Sequence, residues 1–584
     1  HVVMNEATRK KMGVSMTSGT NWSNANLISI CPDDRAAAKE LDYTAITLSP
    51  GEHWEGALEK CILTQANVHL QELIAVVAIK RVGEKGGQIL LDPASSVVLS
   101  RQVNEETLSW TAPSDGEYEL LAFWIHGTGQ TASPAVRTSY TINYIDKYGL
   151  DAFKEYWNRE IMTPEMREWV KNNSRVQMYM DSLELSTYGK GGQFWGYHLL
   201  EEFGKRRGYD LTPYLPFVLK VGGSMMTEFY YYYTCTDNNF IEKLHNDLYQ
   251  TMTDLYMENM LKPMQEWLHS VGMTLRAEIS YGLPFEISLP GKYVDGIETE
   301  SLEFCSQLDS YRNLAGPSHL YKRLYSSETG ATQMNYMMGL DFYTQIIYTQ
   351  FAAGVSRTIL HGYSSIAGSD KSTYWPGHEG MWPVFSERFG ERQPAYQHYH
   401  DWTTMIARYQ MLLRKGKPRV DIGILRLDFN FNNLYFAKCD KTEKDFYENE
   451  FLRNNEGIYW KDMQLQNAGY TYDYFAPQIL EEIFVQYEKG ELDSEGAAYQ
   501  AVIIYQEMLP VSSARKLLTL AENGLPIIFV NGVIETVRPE GGCKTHKVAA
   551  CKTVSLKDYD EELEEIVKKI KKCANVRTVE DQNK

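Results

Sequence analysis

Val294-Asp295-Gly296-Ile297-Glu298-Thr299-Glu300 and Leu324-Tyr325-Ser326-Ser327-Glu328-Thr329-Gly330 decide the reading of this chain. Each is a short apolar run that passes straight into acids. Working outward, the same design recurs. Val176–Met180 leads into Asp181-Ser182-Leu183-Glu184. Leu275-Arg276-Ala277 leads into Glu278-Ile279-Ser280-Tyr281, and Thr358–Leu360 leads into His361-Gly362-Tyr363. Helical patterns at 151–171, 197–207, 240–270, 335–353 and 394–414 separate these runs. Strands alternating with helices at this spacing predict βα units and a parallel sheet. The fold expected is α/β, a (β/α)8 TIM-type barrel. In such a barrel the C-terminal strand ends converge on one mouth, where the chemistry sits.

The barrel reading divides the chain. Residues 1–41 open the barrel, with a strand at 14–17 and a loop Gly19-Thr20-Asn21-Trp22. Residues 42–142 change texture to short alternating runs, Leu73–Ile79, Ser96–Leu99, Leu108–Thr111 and Tyr118–Trp124, between Gly- and Pro-rich turns; this predicts an inserted β-sandwich domain. Residues 143–417 are the barrel's catalytic region. Residues 418–540 form a smaller Rossmann-like, doubly wound domain, with strands at Val420–Leu425, Ala501–Tyr505 and Ile527–Val530 and helices at 458–468 and 512–523. Residues 541–584 are a charged tail, helical at 558–572 and then frayed. The barrel strands number six, 14–17, 176–180, 275–279, 294–297, 324–327 and 358–360, and a closed barrel needs eight. Two strands therefore either lie upstream of this sequence or escape the pattern.

Composition removes several functions. The 584 residues are 43% hydrophobic and 23% charged, so the chain is globular rather than disordered. No apolar run is long enough to cross a membrane. A net charge of −18 repels a phosphate backbone and argues against nucleic acid as a partner. The eight cysteines are scattered without a CxxC pair, which suits free thiols in a reducing compartment and slightly favours the cytoplasm. Tyr (40) and Trp (12) are abundant; they line sugar sites, where a flat face stacks and a polar tip bonds hydroxyls, and they also fill large α/β cores.

Clustered strand-end acids have two uses. Two carboxyls can flank a glycosidic bond, one protonated as acid and one ionised as base. Their repulsion raises one pKa and keeps a proton available near neutrality. Alternatively, several carboxylates hold a hard cation such as Ca²⁺. His398 and His400 at i, i+2 lie on different helix faces and make no transition-metal site. His361 reads as a strand-end group that bonds a sugar hydroxyl. Residues 363–402 form a long loop rich in aromatics, including Tyr363 and Trp375, of the kind that covers a binding site. The candidate substrate contacts are Trp22, Asp181, Glu278, Tyr281, His361, Tyr363 and Trp375.

The run Phe203-Gly204-Lys205-Arg206-Arg207-Gly208-Tyr209-Asp210-Leu211-Thr212-Pro213-Tyr214-Leu215-Pro216 is very similar to a segment of glycoside hydrolase family 106, the α-L-rhamnosidases. Asp181–Glu184, Asp254–Asn259, the Gly296–Glu300 acid pair, Ser327-Glu328 and Phe351–Val355 leading to His361-Gly362-Tyr363 resemble the family in the same order, over about residues 5–535. The resemblance implies an inverting exo-glycosidase with a (β/α)8 barrel, an inserted β-domain and an active-site Ca²⁺. It implies Glu184 as general acid and Glu300 or Glu328 as the base that activates water. Glu298 and Glu300, with neighbouring acids, would hold the cation. Glu278 stands where an amide or other polar group is expected. An inverting pair predicts carboxyls about 6.5–9.5 Å apart, and about 5 Å would mean a retaining enzyme. A glycan-binding relative without turnover, or a Tyr-rich interaction scaffold, are the competing readings. The expected partner is an oligosaccharide or glycoside; the sequence does not give the oligomeric state.

Overall fold

The computed structural model describes residues 1–19, 25–131, 137–221, 230–280, 285–302, 304, 308–331, 339–362, 389–391, 393–427, 429, 464–505, 509–531 and 560–580. The chain is a mixed α/β protein whose parallel strands make a curled half-barrel sheet. All six strands expected for the barrel form, at Val14–Thr17, Val176–Met180, Thr274–Ala277, Gly296–Glu300, Leu324–Thr329 and Arg357–Leu360. The described residues thus carry six strands of this kind, short of a closed ring of eight. The molecule divides into two compact units, the first made of 1–275 and 280–286, the second of 276–279, 287–531 and 560–580 among the described residues.

In the first unit Val14–Thr17 pairs in parallel with Val176–Met180, Val14 opposite Val176. Between them in sequence lies an antiparallel sheet built on Lys39–Leu48, Gln71–Lys85 and Tyr118–Gly127. Tyr118–Gly127 is buried at every position, which explains its nearly unbroken apolar sequence. A two-stranded ribbon, His53–Ala57 with Thr107–Thr111, sets Trp54 opposite Trp110 and packs both on a core of Leu48, Val76, Leu120 and Trp124. The expected sandwich is therefore one large sheet under a small ribbon. Its boundaries also differ from 42–142. Gln193–Trp195 pairs with Leu41, Glu40 and Lys39, and Tyr233–Thr234 pairs with Ile89 and Leu90. These outside strands occupy edges that would otherwise present unpaired backbone.

The helices of this unit carry local punctuation. Thr163 caps Pro164–Asn173 by accepting from the Met166 amide, and Asp237 caps Asn238–Tyr256 by accepting from Phe240. Leu199–Arg207 stops at Gly208, whose φ of 76° is left-handed.

In the second unit Gly296–Glu300, Leu324–Thr329 and Arg357–Leu360 pair in parallel, strand after strand, and Arg276 and Ala277 pair with Gly296 and Ile297. Helices Leu308–Leu320 and Leu340–Ala352 connect them. The Rossmann-like part is a five-stranded parallel sheet in the order Tyr472–Phe475, Ile422–Leu425, Ala501–Ile504, Ile527–Asn531, Val576–Glu580. Two of these strands were not expected. In Tyr472–Phe475 buried Asp473 interrupts the apolar run, and it is hydrogen-bonded by Tyr499 and His319. Val576–Glu580 falls in the tail expected to fray. Instead it pairs with Ile527–Asn531, and Leu563, Ile566 and Ile570 of helix Asp560–Lys571 are buried.

Candidate active site

Alternate residues of a strand share a face, so Glu298 and Glu300 point the same way. The parallel register sets Glu298 beside Ser326 and Glu300 beside Glu328. Two strands thus present three carboxylates and a hydroxyl on one face, at their C-terminal ends. Glu278 follows directly on Thr274–Ala277. One carboxylate oxygen from each of Glu278, Glu298 and Glu328 lies within 4.8 Å of the others. Glu278 and Glu298 are buried, and Glu328 is half-buried. Glu300 is half-buried beside the trio and is not one of it.

Three acids this close repel one another, and the protein supplies part of the compensation. The guanidinium of buried Arg276 forms an ion pair with Glu298, and the Ser326 hydroxyl donates to the other Glu298 oxygen. Burial, and then the charge of Arg276, pull the Arg357 guanidinium below its ordinary pKa, with Glu298 opposing. The Ser301 amide donates to the Glu328 carbonyl at 2.9 Å, and the His361 amide to Thr329 at 2.8 Å, which fixes the strand-end turns. Two oxygens bound to one Ca²⁺ at about 2.3–2.6 Å can be at most about 5 Å apart. The 4.8 Å limit of the trio meets that condition, and all-oxygen donors suit a hard cation.

In the first unit Val176–Met180 runs into the Asp181–Glu184 corner. The Ser182 amide donates to Asp181 Oδ1 at 2.9 Å, and the Ser182 hydroxyl to Glu184 Oε1 at 3.1 Å. Glu184 has φ of 24°, in the left-handed region that non-glycine residues rarely enter. Such residues cluster at functional sites and cost about 1–3 kcal/mol. The Gln130 side chain secures this corner, donating to the Glu184 carbonyl at 2.8 Å.

Of the residues named from sequence, Glu298 and Glu328 are brought together with Glu278, which the sequence assigned to substrate. Glu300 adjoins Glu328 in register. Asp181 and Glu184 share one corner, and His361 is half-buried at its own strand end. Trp22, Tyr281, Tyr363 and Trp375 lie outside the described residues. Sequence reading missed Arg276 and Gln130. The signal for Arg276 was present: a charge between Leu275 and Ala277, inside a buried strand, needs a partner acid.

The parallel strands thus gather carboxylates at their C-terminal ends. The family model for α-L-rhamnosidase, glycoside hydrolase family 106, matches residues 1–570, and the chain belongs to that family. A rhamnosidase from Novosphingobium sp. PP1Y is similar in structure, with a TM-score of 0.69 at 14% identity. The similarity covers 99% of this chain and 66% of that one, so the chain spans just under two thirds of its relative's length. A GH42 β-galactosidase, Gan42B, is more distant, with a TM-score of 0.39 at 12% identity over 70% of this chain and 58% of that one. No curated protein matches this chain.

Proposed function

We propose that this chain is an inverting exo-α-L-rhamnosidase that cleaves a terminal deoxy-sugar from a glycoside. The observation that carries the reading is the set of carboxylates on neighbouring parallel strand ends, in a chain of this family. Glu184 is the general acid that protonates the leaving oxygen. Its hydrogen bond from Ser182 orients the carboxyl group. An inverting base must leave room for water, at about 6.5–9.5 Å from the acid. The oxygens of Glu278, Glu298 and Glu328 are closer than that, so the trio is not itself an acid–base pair. Glu328 is then a cation ligand with Glu278 and Glu298, and Glu300, beside it in register, is the base. A bound Ca²⁺ would supply positive charge and fixed coordination for sugar hydroxyls. Asp181 and His361 are the polar substrate contacts.

Glu184→Gln tests the assignment. It should lower kcat on an unactivated rhamnoside by about 10²–10⁴-fold, the usual contribution of a positioned acid. The loss should shrink on an aryl rhamnoside whose leaving group needs no proton. An unchanged kcat on the unactivated substrate would remove Glu184 from the mechanism.

A further inference from the structure

Glu40 and Asp42 of the inserted sheet, and Gln130 just beyond its strand Tyr118–Gly127, send side chains into the segment that follows Glu184. Glu40 Oε2 accepts from the amides of Tyr188 and Gly189, at 3.0 and 2.8 Å. Asp42 Oδ1 accepts from the Gly191 amide at 3.0 Å. Gln130 bonds twice, its amide group donating to the Glu184 carbonyl and its oxygen accepting from the Ser186 amide at 2.9 Å. The backbone is thus held at residues 184, 186, 188, 189 and 191, before it joins the sheet edge at Gln193–Trp195. All three side chains are buried.

The loop's glycines belong to the same device. A Cβ on Gly189 would lie 2.6 Å from Asp42 Oδ2, and one on Gly191 would lie 2.1 Å from the Leu41 carbonyl. Only glycine lets the loop approach this closely. His126, on the neighbouring strand, completes the arrangement. Its Nε2 lies 3.4 Å from Asp42 Oδ2, its Nδ1 lies 2.8 Å from the Gly127 carbonyl, and Glu40 Oε1 is 3.8 Å away. Two buried carboxylates would be costly without such partners.

We infer that Glu40, Asp42 and Gln130 are positioning residues for the general acid: the inserted sheet and the segment that leaves it clasp the 184–191 loop and set the Glu184 carboxyl in place. The inference rests on the assignment of Glu184 made above. It gives the insertion a part in catalysis without any contact with substrate, because small displacements of a reacting group cost rate rather than binding.

The test combines kinetics with hydrogen exchange on the full chain. Glu40→Ala should lower kcat about tenfold or more while KM stays within about threefold. Amide exchange across 186–191 should accelerate in the same variant. Glu40→Gln keeps an acceptor for Tyr188 and Gly189 and should recover most of kcat. Gln130→Ala should give the same kinetic pattern with Glu40 intact, and serves where Glu40→Ala does not fold. Wild-type kcat in Glu40→Ala and Gln130→Ala, beside a collapsed Glu184→Gln, overturns the clasp. So does unchanged exchange across 186–191, a readout that needs no turnover. A fully active Glu184→Gln instead overturns the acid assignment, and the inference falls with it whatever the exchange shows.

Discussion

At the residue scale, the buried group Glu40, Asp42 and His126 makes stability depend on pH. Burial pushes the Glu40 carboxyl up to about 7, with the His126 charge and the amide bonds opposing. Burial alone would lower His126, but its bond to Asp42 and the charge of Glu40 raise it. Burial alone would raise Asp42, but the His126 hydrogen bond and the Tyr43 and Gly191 amides hold it below the usual range. A raised carboxyl and a raised imidazole both bind more protons in the folded state than in the unfolded one. Each therefore stabilises less as pH rises, Glu40 from about 4.5 to about 7 and His126 above about 6.5. Asp42 acts oppositely, losing its contribution only as pH falls below about 3.8. Between about pH 5 and 8, Tm should accordingly fall more steeply with pH in the native chain than in Glu40→Gln. An identical pH dependence of Tm in the two chains would contradict the assignment of charges.

At the scale of elements, the candidate cation site joins the ends of three successive strands, Thr274–Ala277, Gly296–Glu300 and Leu324–Thr329. A cation there would cross-link them and bind only the folded state, so Ca²⁺ at 100 times its Kd should add about 2.7 kcal/mol of stability. A chelator should lower Tm, Ca²⁺ should restore it, and Glu298→Gln should abolish the response. A Tm indifferent to chelator and to Ca²⁺ would contradict the trio's reading as a cation site. The strand ends were legible in the sequence because each apolar run meets its acids within one or two residues. The finer assignment was not. That Glu278 joins the trio while Glu300 stands beside it follows from register between strands, and register is not written in either strand separately. The 203–216 run, the most specific sequence signature, turns out to be scaffold. Tyr209 donates to buried Asp247 at 2.7 Å, Arg206 pairs with Glu258, and Gly208 ends the helix. It identifies the family without marking the chemistry.

At the scale of the whole molecule, part of the abundant tyrosine serves packing among the described residues. Tyr256, Tyr311, Tyr325, Tyr343, Tyr474 and Tyr499 are among the largest fully buried side chains. Composition alone could not separate these from sugar-stacking residues, since both uses need the same ring and the same polar tip. The C-terminal segment was misread for a related reason. VRTVE at 576–580 has no apolar/polar alternation and becomes a strand where Ile527–Asn531 offers it an edge. Deleting residues 560–584 would expose that edge and the partners of Leu563, Ile566, Ile570 and Val576. At about 1.5–3 kcal/mol per buried apolar side chain, the loss rivals the total stability of a domain. The truncated chain should aggregate or unfold well below the Tm of the full one, as light scattering during a thermal ramp would show. An unchanged Tm and monodisperse scattering would mean the segment is dispensable.

The central claim is inverting hydrolysis of an α-L-rhamnoside, and the configuration of the first product tests it most directly. Proton NMR of an aryl α-L-rhamnoside during the first minutes of reaction, before mutarotation mixes the anomers, reads that configuration. The account predicts β-L-rhamnose first, with the α anomer growing in later. The α anomer appearing first would mean a retaining enzyme and a covalent intermediate, and would contradict the assignment of Glu184 and Glu300 as acid and base.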